Sequence, residues 1–95
     1  MCRFPSLNKL FIHKSKVFHL NIYENPLLTY AQISKCHPLY QLNIQKNGNL
    51  KNVEIFKSGV SGIFIDQKLN SLNLIRCDHL TKVDGPTEKD KIHIH

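Results

Sequence analysis

Leu20-x-Ile22-x-x-Asn25-x-x-Leu28, Ala31-x-Ile33-x-x-Cys36-x-x-Leu39, Leu42-x-Ile44-x-x-Asn47-x-x-Leu50 and Val53-x-Ile55-x-x-Ser58 follow one another in steps of eleven residues. In the three complete units every first, third and ninth place holds an aliphatic residue, and most residues between are polar. An apolar-x-apolar core fits a short strand whose alternate side chains point inward. Pro26, Pro38, Gly48, Gly59 and Gly62 fall between the cores, where a helix would have to continue. The spacing therefore predicts seven short strands, centred near residues 11, 21, 32, 43, 54, 64 and 73, with tight turns between them.

The pattern extends both ways. Leu7-x-x-Leu10-x-Ile12-x-x-Ser15-x-x-Phe18 precedes it, and Leu69-x-x-Leu72-x-Leu74-x-x-Cys77-x-x-Leu80-x-x-Val83 closes it after a looser stretch with Ile63-x-Ile65. The sixth place alternates: Ser15, Asn25, Cys36, Asn47, Ser58, an indistinct 66–68 region, then Cys77. The repeat is thus about 21 residues long, built of two half-coils. Stacked coils place Ser15, Cys36, Ser58 and Cys77 in one column and Asn25 and Asn47 in another. Buried Asn amides there can satisfy turn backbone, while Ser and Cys do so with fewer bonds. This reading divides the chain into a lead-in (1–6), a repeat solenoid (7–83) of about 3.5 coils and a polar tail (84–95), whose Ile92-x-Ile94 either adds a strand or frays.

Leu39-x-x-Leu42-x-Ile44-x-x-Asn47-x-x-Leu50 and Leu69-x-x-Leu72-x-Leu74-x-x-Cys77-x-x-Leu80 resemble the core of leucine-rich repeats, with the last Leu one place later than in the commonest spacing. The short period is similar to repeats of internalin-type bacterial surface proteins. The resemblance implies a mainly β, parallel solenoid, with strand or extended chain replacing the usual helical face. Residues 52–65 also resemble a right-handed parallel β-helix, a second form of the same stacking. An antiparallel sheet turning at Asn47-Gly48 is the competing architecture, and it would pair Ile44 with Val53.

The chain has 95 residues, a formal charge of +6 and three cysteines. It is one small domain at most. No secretory signal or membrane-spanning run is read in it, which makes the cytoplasm the default location. An odd cysteine count argues against a closed disulfide framework. Cys36 and Cys77 are expected to be buried, unbridged and metal-free, and Cys2 exposed. Two coils separate Cys36 from Cys77, about 9–10 Å at strand spacing, too far for one zinc ion. His93 and His95 are read as a solvated tail. No cofactor motif occurs. The seven acids supply no paired carboxylates, since Glu54 and Asp66 fall on opposite half-coils. A carbohydrate-active β-helix remnant is therefore disfavoured, and no catalytic residue is assigned.

The expected function is a non-enzymatic binding module that presents a solenoid face to a protein partner. The alternative is a non-functional fragment of a longer repeat protein. Phe11, Phe56 and Ile75 are the outward apolar candidates, with Phe56 and Ile75 neighbours on adjacent coils. Lys14, Lys35, Lys57 and Arg76 each stand just before the Ser/Cys column and form a basic ladder, with Lys16 and His37 close by. The ladder suits an acidic protein surface. A nucleic acid or an anionic membrane face offers the same charge with no motif to support it. Open coil ends also make self-association an expectation.

Overall fold

A computed structural model describes residues 8–95; the expectations for the lead-in, Leu7 and Cys2 lie outside it. Nine strands follow in order: β1 (Lys9–His13), β2 (His19–Tyr23), β3 (Tyr30–Ser34), β4 (Gln41–Gln45), β5 (Asn52–Phe56), β6 (Gly62–Ile65), β7 (Ser71–Ile75), β8 (Lys82–Asp84) and β9 (Ile92–Ile94). Odd strands form a five-stranded sheet in the order β1-β3-β5-β7-β9, and even strands form a four-stranded sheet, β2-β4-β6-β8. All pairings are parallel, and β4 lies between β2 and β6, so the antiparallel alternative is excluded. The fold is a β-solenoid of four coils with a ninth strand beginning the next.

Register follows the repeat. Leu10, Ala31, Val53 and Leu72 are successive rungs of one sheet, and Leu20, Leu42, Ile63 and Val83 of the other. All eleven aliphatic places from Leu20 to Ile55 are buried. Each rung packs between the two sheets, and at about 25 cal/mol per Å² this burial is the main favourable term in the fold.

The two polar places between each Ile and its column residue have a backbone origin. Strand alternation would turn the residue after Ser34 inward and the next one outward. Instead Lys35 adopts a left-handed conformation (φ 54°), stays outside and lets Cys36 turn in. Lys14, Glu24, Lys46, Lys57 and Arg76 do the same, with φ between 48° and 59°. A tight turn then closes from the column residue to the Leu three places on: Leu28 N–H donates to Asn25 O (3.1 Å), Leu39 to Cys36 (3.0 Å), Leu50 to Asn47 (2.9 Å) and Leu80 to Cys77 (3.2 Å). That turn explains the late Leu, which swings back into the core.

Both columns form as expected. Asn25 and Asn47 are fully buried. Asn47 Oδ1 accepts from the Asn25 backbone N–H (2.9 Å) and from Asn25 Nδ2 (3.0 Å), and its Nδ2 donates to Ile22 O and Gln45 O (3.0 Å each). In the other column Ser58 Oγ donates to Phe56 O (3.1 Å) and accepts from Cys36 N–H (3.3 Å). Cys36 is buried as expected, whereas Cys77, also expected to be buried, is only half-buried; both are free thiols. Burial pushes the Cys77 thiol pKa up, backbone hydrogen bonding at Ser58 opposes this, and the Asp78 charge raises it further. Among the described residues, no buried side-chain N or O atom lacks a hydrogen-bond partner.

Three details depart from the expected layout. Phe18 does not fill a core place but stands 66% exposed. The β1–β2 connection is one residue shorter than the β3–β4 connection, so Phe18 aligns with outward Tyr40, whose N–H it accepts (2.7 Å). Second, β8 was not foreseen, because its inward series is Val83 followed by Gly85 rather than two aliphatics. Gly85 is required there: its φ is +138°, and a Cβ would overlap Ile65 O. Third, the segment read as a polar tail returns to the sheet, with Ile92 and Ile94 in register with Leu72 and Leu74. Near Gly85, between β8 and β9, lies a cavity of about 410 Å³ whose lining includes Ile65, Val83, Ile92 and Ile94.

Candidate functional site

The αL turn that carries each column inward also builds the outward basic ladder. Lys14, Lys35, Lys57 and Arg76 are exposed, one per coil, at the same turn position. Each is tied to the next coil by its own backbone. Lys14 N–H donates to Ser34 O (3.0 Å), Lys35 to Phe56 O (2.9 Å), Lys57 to Ile75 O (2.8 Å) and Arg76 to His95 O (3.0 Å). Coil spacing therefore sets charge spacing, about 4.8 Å per step. At this range like charges repel, and salt screens them over about 8 Å.

Beside the ladder runs the last outward row of the five-stranded sheet: His13, Ser34, Phe56 and Ile75. It carries no acid, and His13 Nδ1 lies 2.6 Å from Ser34 Oγ. Phe56 and Ile75 are direct partners in register. They were expected to be exposed, yet each is half-buried; adjacent rungs shield one another. The result is one edge that joins four cations to a short apolar step. Phe11 is not part of it. Phe11 lies in a different row, with Gln32, Glu54 and Asn73, and is 61% exposed. Its ring leans on Tyr30 at a centroid distance of 5.6 Å, tilted by 55°.

The other sheet has no matching ladder. Its αL positions hold Glu24 and Lys46, and in the third coil Asp66 Oδ2 accepts the Lys46 N–H (3.0 Å). Glu54 lies in β5 of the five-stranded sheet, whereas Asp66 directly follows β6 of the other, so these two carboxylates do not share a face. Among the described residues, no group of three or more His, Cys, Asp or Glu side chains is placed to hold a metal ion.

Two features escaped the linear reading. Tyr30 O–H lies 2.8 Å from Glu54 Oε2 and 3.0 Å from Gln32 Oε1. A hydroxyl has one proton; the carboxylate is the stronger acceptor, and a reversed Gln32 amide supplies a donor to the Tyr30 oxygen. Partial burial, then the Glu54 hydrogen bond and charge, push the Tyr30 pKa up to about 12. This pair is diagonal across adjacent strands, and a repeat pattern that aligns only direct partners passes over it. The second feature is a depression of about 300 Å³ beside the ladder, where His37, Lys57, Arg76 and His79 meet. The sequence places His37 near the ladder, whereas His79, two places past its column residue, joins it only in the folded turn.

Comparison with protein-family models, with curated proteins and with solved structures finds no match to this chain.

Proposed function

We propose that the chain is a non-enzymatic binding module of leucine-rich-repeat type, and that the edge formed by Lys14, Lys35, Lys57, Arg76, Phe56 and Ile75 docks an acidic protein surface. The observation that carries this reading is the residue type at the αL positions. A left-handed turn favours Gly, then Asn or Asp, and costs an ordinary L-residue about 1–2 kcal/mol. Four consecutive coils nevertheless place Lys or Arg there. Backbone conformation does not select a long cation, so the charge itself is the reason for the choice. The Phe56–Ile75 step gives an acidic partner an apolar contact beside its ion pairs, as where an apolar interface core meets its polar rim.

The same reasoning supplies the test. In Lys35→Gly/Lys57→Gly, relief of αL strain raises the urea midpoint by an amount equivalent to about 0.5–1 kcal/mol per site. Retention on heparin, used as a generic polyanion, falls more than retention on a plain sulfonate exchanger. Lys35→Glu/Lys57→Glu strengthens that difference. Equal loss on both matrices would mean that net charge alone is at work, and the edge would then be a solvated turn row.

A further inference from the structure

Gly59 lies in the lining of the depression beside the ladder. Counting from the column, the next turn place holds His37 in the second coil, Gly59 in the third and Asp78 in the fourth. A Cβ at Gly59 would overlap the carbonyl oxygen of His37, so this place stays without a side chain. The depression, of about 300 Å³, is lined by Gly59 together with side chains of three successive coils. Lys57 and Arg76 wall it from the ladder side, and His37 and His79 from the turns that flank it. One carboxylate, Asp78, also lines it.

We infer that this depression seats a phosphoryl group carried by a peptide segment of the acidic partner, an inference that rests on the docking edge proposed above. Four nitrogen-bearing side chains border it from three coils. A carboxylate presents two oxygens in one plane. A phosphate monoester presents three strong acceptor oxygens and close to two charges, which suits donors converging from several directions. Arg76 can grip two of these oxygens through its planar fork, while Lys57 acts as a point charge on the remaining one. Asp78, in the same lining, opposes any anion and so lowers the affinity.

The test is a titration of the ¹⁵N-labelled chain, followed through backbone amide shifts. The probes are a glycine-flanked O-phosphoserine peptide, the same peptide unphosphorylated, and inorganic phosphate. With the phosphopeptide the amides of His37, Gly59 and His79 move, and the unphosphorylated peptide leaves them in place. Arg76→Ala weakens binding about tenfold or more, the scale of a lost charge-assisted hydrogen bond. Asp78→Asn, which leaves the basic side chains untouched, tightens it severalfold. Lys14→Ala/Lys35→Ala strips charge from the ladder outside the depression and changes this affinity less than about threefold, since exposed charges at that range are screened. Shifts spread evenly over all the αL turns, or no gain from Asp78→Asn, would overturn the proposal. So would inorganic phosphate binding as tightly as the phosphopeptide. If Lys14→Ala/Lys35→Ala leaves heparin retention intact while the phosphopeptide still moves Gly59, the docking edge fails and the seat stands.

Discussion

Tyr30 shows how one outward side chain ties two coils through chemistry the core does not use. Its hydroxyl proton is held by Glu54, and its pKa is raised to about 12. A raised pKa means that the folded chain keeps a proton the unfolded chain releases near pH 10. The stabilisation is fully present below about pH 10 and is lost as pH rises through about 12. Spectrophotometric titration should show a late tyrosinate step that disappears in Tyr30→Phe and moves to lower pH in Glu54→Gln. An unchanged step in Glu54→Gln would exclude the carboxylate as its cause. The lysines at the αL turns illustrate the opposite case, where backbone geometry and side-chain chemistry are set independently.

At the scale of an element, the turn unit matters more than the strand. Each strand is only three to five residues long, too short to specify its own partner. The column residue follows the αL residue that ends the strand, its carbonyl accepts the turn hydrogen bond, and its side chain bonds the preceding coil. Asn47 carries the most of this work, with four hydrogen bonds from a fully buried amide. Asn47→Ala would leave the Asn25 N–H and the Ile22 carbonyl without that partner, each costing about 1–3 kcal/mol. Loss of about 2–4 kcal/mol in urea denaturation is expected, and Ser58→Ala, with one donor and one acceptor at stake, should lose less. Equal losses would show that the Asn column is packing rather than hydrogen bonding.

The whole molecule is a thin stack, with extents of 31 × 30 × 16 Å. Coils touch their neighbours and little else, so stability is nearly a sum of coil terms and nearest-neighbour interfaces. Strands β3 to β7 have a partner on both sides, whereas β1, β2, β8 and β9 have one. The last coil is weakened further by the cavity beside Gly85 and by Ile94, which is 69% exposed. Hydrogen exchange should therefore give its highest protection in β3 to β6 and release β8 and β9 first, through local opening. Uniform protection across all nine strands would mean that the solenoid opens only as a unit.

The eleven aliphatic places from Leu20 to Ile55, the alternating Ser/Cys and Asn columns and the basic ladder were all legible in the linear text. Each depends on a local rule: side chains alternate along a strand, and a constant step puts like residues on one face. The strand over Ile92–Ile94 could be read either way, because three residues form a strand only if a neighbour offers an edge, and β7 offers it. Phe18 looked like core, and a connection one residue shorter turned it outward. The half-burial of Phe56 and Ile75, the Tyr30–Glu54 bond and the meeting of His37, Gly59 and His79 were likewise decided only in three dimensions. These features depend on which atoms of one coil lie against the next. That contact is set by turn length and αL backbone geometry, which the one-dimensional period does not contain.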